Sequence, residues 1–449
     1  MTNRRSRYHR IGLAAAAAAL GLTAAACSSS GSSSGQNIYH GTLTISLQSY
    51  APQIIKPAVD GFQKLHPGVK IQESVVSAAG TTYLTTLLTQ KMSGNLPDIV
   101  EPQDVLSPTL AADGITQSLT PYMKNGKLPA QSYFLPNILS SYIPQVGQYK
   151  GQVMALPDEA DAVVVYYNEN EFKAAGVPFP KDNWTWNEMM ADAAKLKKVS
   201  HGVQTQWGIC DAPDWQAMYN PLMKVFGASS LTETKADLAS PAALKAWQML
   251  IQPTTDGTAV PYSTYLSAAS NCSTLFNSGQ AAMLVDPRNT TPVIQPAAQG
   301  KFTFNAAPIP FVNGVHGAVR PTGAGSIGWG ITTQSKHVPL ALAFLNYLVS
   351  PKGQSLLEKG YGVIPATSAA LEPSALWQHL PPPPANNQAF ITAAKTGIIA
   401  PQTPNAVYNL VLTNVPKAIQ SVVDNHESYA QAFGQLNKTI NAAYASNGG

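Results

Sequence analysis

The chain has 449 residues and a formal net charge of +4, and this length is enough for two cores of ordinary size. Residues 1–26 hold four arginines and no acidic residue, so the rest of the chain balances at 24 Lys plus Arg (28 minus four) against 24 Asp plus Glu. This balance gives no argument for a basic surface of the kind that binds nucleic acid or an anionic membrane. Charged residues make up only 12% of the chain, which favours an uncharged, hydroxyl-rich ligand over an anionic one.

The N-terminus predicts export and a lipid anchor. Four arginines precede a short apolar stretch at residues 11–22, which is too short to span a bilayer, and Ala24-Ala25-Ala26-Cys27 resembles a lipobox. We therefore expect residues 1–26 to be a lipoprotein signal peptide and Cys27 to become the lipidated N-terminus, on the outer face of the cytoplasmic membrane. The Ser/Gly-rich residues 27–39 are expected to be a flexible tether. An ordinary secretory signal with an incidental cysteine is the alternative.

Strand-like and helical segments alternate along the rest of the chain. This alternation predicts an α/β fold with sheets covered by helices. The helix after Thr185 begins with a capping box, because Glu188 follows three residues later. Strands are predicted at 42–47, 69–73, 98–100 and 163–167, and helices at 54–66, 83–93, 186–197, 242–251 and 340–349.

Residues 151–192, GQVMALPDEADAVVVYYNENEFKAAGVPFPKDNWTWNEMMAD, are the most informative stretch. They predict a strand, an acidic elbow at Asp158, Glu159 and Asp161, a second strand and the capped helix. Further segments share a family pattern, in this order: FQKLHPGVKIQ, LLTQKMSGNLPDIV, LAADGITQSLTPYM, FNSGQAAMLVDPR, AAPIP, GAGSIGWGI and ALAFLNYLVSPKGQ. Over roughly residues 41–370 the chain thus resembles family 1 extracellular solute-binding proteins of ABC importers, the sugar-binding group related to the maltose-binding protein.

The resemblance implies a two-lobe α/β fold of the periplasmic-binding-protein type II, with a hinge and a ligand cleft between the lobes. The expected first lobe is 40–160 plus 322–364, and the second is 161–321 plus 365–449. The resemblance also implies a monomeric receptor that captures a sugar or oligosaccharide by lobe closure. Such a receptor delivers its ligand to a transmembrane permease that is driven by a separate ATPase.

Sugar recognition needs aromatic planes for the apolar faces of the ring and planar polar side chains for the hydroxyl groups. By the resemblance, Trp215 supplies a stacking plane and the elbow carboxylate of Asp161 faces the ligand. Trp329, which follows the glycine-rich GAGSIG, is a second stacking candidate. For both tryptophans packing in a core is the alternative, and for Asp161 it is a satisfied hinge carboxylate.

Other candidate contacts follow predicted strands. They are Asp286 and Arg288, which have mutual pairing as their alternative, then Gln103 and Asp104, and finally Gln48 and Ser49. Beyond Cys27, the chain has only Cys210 and Cys272. In an exported protein these two are expected to form a disulfide in the second lobe, with two buried thiols as the alternative.

No catalytic motif has the context that it needs. GSSSG at 31–35 lies in the tether, and GAGSIG at 323–328 leads into a strand where a dinucleotide site requires a helix. The histidines show no metal-ligand spacing, so no metal and no cofactor are predicted. A lipid-anchored glycosidase using Asp158 or Glu159 with Asp286 is the rival from another class. A receptor for a peptide or polyamine is the third alternative, although the sequence shows no acidic cleft that would suit a polyamine.

Overall fold

The structure is a computed structural model, and it describes most of the chain after the predicted tether. No helix within that part is long and apolar enough to cross a membrane. Cys27 and Ser49 lie outside the described residues, as do the predicted signal peptide and most of the tether. The described ranges are 38–48, 51–76, 81–145, 147–232, 234–268, 271–361, 363–372 and 383–446.

Strands and helices alternate, as the sequence predicts, and each predicted element agrees with the observed one to within about one helical turn. The strands are β1 (Gly41–Leu47), β2 (Val69–Val75), β3 (Ile99–Val100), β4 (Leu156–Pro157), β5 (Asp161–Asn168), β6 (Lys198–Ser200), β7 (Val203–Cys210), β8 (Ser230–Leu231), β9 (Ala236–Asp237), β10 (Ala281–Pro287), β11 (Phe304–Pro308), β12 (Val312–Gly314), β13 (Gly317–Val319), β14 (Gly323–Gly325), β15 (Gly328–Ile331) and β16 (Ile398–Ile399).

The helices cover both sheets. They are α1 (Pro52–Leu65), α2 (Thr81–Met92), α3 (Ser107–Ala112), α4 (Thr120–Lys124), α5 (Pro136–Leu139), α6 (Glu169–Ala174), α7 (Trp186–Lys195), α8 (Gln216–Val225), α9 (Pro241–Thr255), α10 (Tyr262–Ser267), α11 (Cys272–Asn277), α12 (Thr291–Ala298), α13 (Val338–Leu348), α14 (Pro351–Tyr361), α15 (Asn387–Thr396), α16 (Asn405–Val423) and α17 (Tyr429–Ser446). Short 3₁₀ turns lie at Asp104–Leu106, Gln131–Tyr133, Ser140–Tyr142, Arg288–Thr290 and Ser368–Leu371.

The first lobe is built on a sheet with the strand order β2-β1-β3-β15-β4. Strand β1 runs parallel to β2 and β3, whereas β15 is antiparallel to β3 and β4. Helices α1, α13 and α14 cover one face, where the rings of Phe62 and Phe344 meet edge to face with their centroids 5.1 Å apart. A smaller cluster that includes Tyr83 and Leu110 forms a separate core. With helices covering the sheet, hydrophobic residues along β1 are buried throughout.

The second lobe is built on a sheet with the order β16-β14-β5-β10-β7-β6, and β11 also pairs with β5. The central strand β5 contains the buried run Val163–Val164–Val165–Tyr166–Tyr167, which is typical of a strand covered on both faces. Helix α7 starts with the predicted capping box, since the Thr185 and Glu188 side chains each bond the other residue's backbone N–H. Helices α16 and α17 pack on α9, so the C-terminal residues described complete this second core.

Three chain segments connect the lobes and bond to one another. The backbone N–H of Asp158 donates to the Ile327 oxygen (3.0 Å), and that of Ala160 donates to the Ile364 oxygen (2.7 Å). We propose that these segments, residues 158–160, 326–327 and 364–366, form the hinge.

The second crossover lies a few residues later than the sequence suggests. The expected first-lobe segment begins at residue 322, but β14 pairs with β5 and β16 in the second sheet. A Cβ on Gly323 would lie only 2.0 Å from the Ala217 backbone oxygen, so glycine allows β14 to pack closely on α8. We therefore place this crossover at 326–327.

Candidate functional site

A cleft of about 730 Å³ lies between the two cores, beside the hinge. In the first lobe, Gln103 and Asp104 reach it from the turn that follows β3. In the second lobe, the ends of β7 and β10 and the start of β5 reach it. Loops at strand ends of α/β sheets are the usual place for ligand sites, because side chains there are not needed for the sheet itself.

Five of the predicted contact residues line this cleft. Asp161 is the first residue of β5, and its Oδ2 accepts a hydrogen bond from Asn289 Nδ2 at 3.1 Å. Trp215 is partly buried at the N-cap position of α8. The set is completed by Asp286, near the end of β10, and by Gln103 and Asp104.

Three other predicted contacts do not line this cleft in the structure. Trp329 is only 2% exposed in the first core, and its Nε1 donates to Asp158 Oδ2 at 2.7 Å. Arg288 is also 2% exposed, with its guanidinium 4.4 Å from the centre of the Phe390 ring. Gln48 is fully buried and its Nε2 donates to the Glu101 oxygen at 3.1 Å. None of the three lines the described cleft. We therefore assign them to packing and hydrogen bonding inside the lobes.

Several lining residues were not chosen from the sequence. Glu159 belongs to the predicted acidic elbow, two residues before Asp161, and was considered only for the glycosidase alternative, whereas Asp214 directly precedes Trp215. The hydroxyls of Tyr262 and Tyr265 donate to the two oxygens of Asp214, at 2.8 and 3.0 Å, and so hold this carboxyl group in place. Other lining residues from distant parts of the chain are Tyr265, Asn271, Ser273, Asn289, Thr290, Ser326, Tyr408 and Leu412.

The cleft is acidic, contrary to the sequence-based expectation. Burial raises the pKa of Asp104, Asp161 and Asp286 to about 7 each. The charges of Asp286 and Asp104 raise the pKa of Asp161 further. Burial, followed by the charges of Asp161 and Asp158, raises the pKa of Glu159 well above its usual range. Asp214 also lines the cleft, so five carboxyl groups share it, and the charges of neighbouring carboxylates make ionisation of Asp161 and Glu159 less favourable.

The disulfide joins two elements at the wall of the cleft. Cys210 ends β7, Cys272 begins α11, and their Cα atoms lie 5.5 Å apart across the bond. Cys272 itself lines the cleft, next to Asn271 and Ser273. The bridge closes a chain segment of 62 residues in sequence separation and holds the start of α11 against β7.

The sequence matches known binding proteins over most of its length. The profile of the bacterial extracellular solute-binding proteins matches residues 43–355. A curated relative is the sn-glycerol-3-phosphate-binding periplasmic protein UgpB of Brucella abortus, which is 26% identical over 270 residues, or 59% of this chain and 60% of that protein. The chain therefore spans about three fifths of the length of that relative.

Solved structures show the same fold. An ABC substrate-binding protein of Listeria monocytogenes in complex with cycloalternan superposes with a TM-score of 0.76 at 22% identity, covering 90% of this chain and 99% of that one. The sugar-binding protein MalE of Xanthomonas citri gives a TM-score of 0.75 at 18% identity, covering 91% and 98%. At such identities the likeness establishes the two-lobe α/β fold. Since the family profile covers more than half of its residues, the chain belongs to the bacterial extracellular solute-binding protein family.

Proposed function

We propose that the chain is the receptor of an ABC importer and that it binds a carbohydrate in the cleft between its lobes. The observation that carries this proposal is the composition of the cleft, which combines the partly buried ring of Trp215 with carboxyl, amide and hydroxyl groups. An aromatic ring packs on the C–H face of a pyranose, and carboxylates accept hydrogen bonds from its hydroxyl groups. The sugar-binding neighbours in Listeria and Xanthomonas add support by analogy of fold.

The hinge supports capture by closure. Its three segments are short and mutually hydrogen bonded, so small changes in their backbone angles turn one lobe relative to the other without disturbing either core. Closure excludes water from the cleft and so strengthens hydrogen bonds to a bound ligand. The closed monomer would then be the form that a permease recognises.

A thermal-shift screen against a panel of carbohydrates tests this function. A ligand that binds only the folded protein stabilises it by RT ln(1 + [L]/Kd), so the melting temperature rises with ligand concentration. We expect at least one carbohydrate to raise it in a saturable manner, with calorimetry giving one site per chain. A panel of mono- and oligosaccharides that leaves the melting temperature unchanged would reject the proposal.

Replacing Trp215 by alanine should weaken carbohydrate binding by about ten- to a hundredfold, because it removes the aromatic face at the cleft, worth on the order of 1–3 kcal/mol. Trp207→Ala is the matched control. Trp207 is likewise half-buried against the second core but does not line the cleft. Titration calorimetry should show a large change in Kd for Trp215→Ala only. Equal Kd values for the two variants would remove Trp215 from the binding site.

We further propose that Cys27 anchors the protein to the outer face of the cytoplasmic membrane. The support is the lipobox-like sequence at 24–27, which lies outside the described residues. Cys27→Ala is expected to release the protein into the medium or leave an unprocessed precursor, as seen by fractionation and mass spectrometry. Cys27→Ala protein that is processed normally and stays in the membrane fraction would exclude this anchor.

The glycosidase alternative has weaker support. Of its two candidate elbow carboxyl groups, Asp158 accepts the Trp329 hydrogen bond and does not line the cleft, which leaves only Glu159 to act with Asp286. Incubation with aryl glycosides should release no phenol above the rate of a buffer control. Steady turnover that is lost in Glu159→Gln would favour the enzyme.

A further inference from the structure

We infer that the ligand is an amino sugar, a carbohydrate with at least one positively charged amino group that sits among the acidic residues of the cleft. This inference rests on the proposed carbohydrate function and narrows its substrate class. The acidic residues that line the cleft come from both lobes and from the hinge. They are Asp104, Glu159, Asp161, Asp214 and Asp286.

No compensating cation lines the cleft within the part of the chain that the structure describes. Its lining residues include no Lys, Arg or His. In the sequence, the internal stretches outside that part contain no Lys or Arg either, and His379 is the one histidine in them. Arg288 follows β10, but it is buried against the ring of Phe390 and is absent from the lining. None of the described lining residues thus supplies a positive charge to those carboxyl groups that ionise, and a cationic group on the ligand would fill this role.

Asp104 gives an independent indication that a donor is missing. Its side chain lines the cleft and is only 6% exposed. Backbone groups of Val105 and Ser326 hydrogen bond to the carboxyl group, but Oδ2 is buried and has no hydrogen-bond partner among the described residues. A buried carboxylate oxygen without a donor is costly to the folded protein. An ammonium group offers three donors and a full positive charge, so it satisfies this oxygen better than a neutral hydroxyl.

The same acidic groups disfavour other classes of ligand. A phosphate ester such as the sn-glycerol 3-phosphate named for the Brucella relative would place like charges together in a buried cavity. For a metal ion, no group of three or more His, Cys, Asp or Glu residues has suitable geometry in the described chain. A linear polyamine would satisfy the charges but would leave Trp215 without a flat apolar partner.

The acidic groups of the cleft predict that the affinity for an amino sugar depends on pH. The carboxyl pKa values of about 7 for Asp104, Asp161 and Asp286 mean that the free site takes up protons below neutral pH. Binding of an ammonium group favours the ionised form of the carboxyl groups, so its affinity should rise as the pH increases from about 5.5 toward the pKa of the amine itself. The affinity of a neutral analogue should not show this rise with pH. The other titratable groups in or directly behind the cleft are Glu101, Tyr142, Asp158, Glu159, Tyr166, Asp211, Asp214, Tyr265, Arg288 and Tyr408.

Calorimetry with matched sugars tests the inference. Cellobiose, the β-1,4-linked glucosamine disaccharide and its N-acetylated form share a skeleton and differ only in the group at carbon 2. Glucose with glucosamine, and galactose with galactosamine, give two further pairs, while spermidine and sn-glycerol 3-phosphate represent the other charge classes. In the pairs that bind, we expect the amine to bind at least about tenfold more tightly than the hydroxyl analogue at neutral pH, and this ratio to shrink toward pH 5.5.

Asp104→Asn should reduce the amine-to-hydroxyl affinity ratio to below about threefold, because asparagine keeps the shape but not the charge. The control is Asp60→Asn, which removes the same charge from the exposed Lys56–Asp60 pair on α1 and should leave the ratio unchanged. Amines that bind no more tightly than their hydroxyl analogues would overturn this inference and leave the carbohydrate function intact. If no carbohydrate of the panel binds, with or without spermidine binding, the proposed function itself fails and the inference with it.

Discussion

Replacing both Cys210 and Cys272 by serine should lower the free energy of unfolding by about 4 kcal/mol, because the bridge closes a loop of about 60 residues in the unfolded chain. The structure supports a strong effect, since the bond joins β7 to α11 within the second lobe, at the wall of the cleft. Urea denaturation of the variant and of the oxidised wild type gives the difference directly. Wild-type protein kept under reductant is the matched control and should resemble the variant.

Counting the free thiols shows whether the disulfide is formed in the wild-type protein and can therefore account for the difference in unfolding free energy. Oxidised protein denatured without reductant should show neither Cys210 nor Cys272 as a free thiol. Finding both thiols free would exclude the disulfide, and a stability change below about 1 kcal/mol would show that its loop contributes little. The bridge also borders the cleft through Cys272, so reduction should weaken carbohydrate binding along with stability.

Replacing Trp247 by alanine should cost about 3–5 kcal/mol of unfolding free energy, the usual range for deleting a large ring from a well-packed core. The ring is fully buried and stacks on Phe433, with ring centroids 4.2 Å apart and an angle of 12° between the planes. Its Nε1 also donates to the Leu238 oxygen at 3.2 Å. The side chain thus ties α9 to α17, and its loss leaves a cavity and an unpaired backbone oxygen.

Trp207→Ala is again the appropriate control, because the same chemical change is made at a half-buried ring in the same lobe. In the same urea titration, Trp207→Ala should lower the free energy of unfolding by clearly less, on the order of 1–2 kcal/mol. Equal costs for the two variants would contradict the assigned role of α17 in the second core. Because Trp247 does not line the cleft, folded Trp247→Ala protein should still bind carbohydrate.

The sequence predicted the elements whose local signals are strong. Strand β5 follows from an uninterrupted run of β-branched and aromatic residues, and α7 follows from its capping box. The likeness in the segments from residue 41 to about 370 was enough for the family and the two-lobe fold, both of which are confirmed. The role of the last 80 or so residues was not predictable, because amphipathic helices such as α16 and α17 carry no signal for the surface on which they pack.

The orientation of single side chains was harder to predict. In β15 the residues Gly328, Trp329, Gly330 and Ile331 are all buried, so alternation along the strand does not distinguish a ring in the core from one in the cleft. The acidic cleft was missed for a different reason. Its carboxyl groups are spread between Asp104 and Asp286 in a part of the chain whose charges balance, and only the folding of the second sheet and the meeting of the two lobes bring them together.

Small-angle X-ray scattering of the wild-type protein, with and without the carbohydrate found by thermal shift, shows whether the lobes close on the ligand. Capture between two hinged lobes predicts that the radius of gyration falls when ligand saturates the cleft, as the lobes close around it. In Trp215→Ala the same decrease should require about ten- to a hundredfold more ligand. A radius of gyration that stays constant while calorimetry shows the site to be saturated would contradict capture by closure.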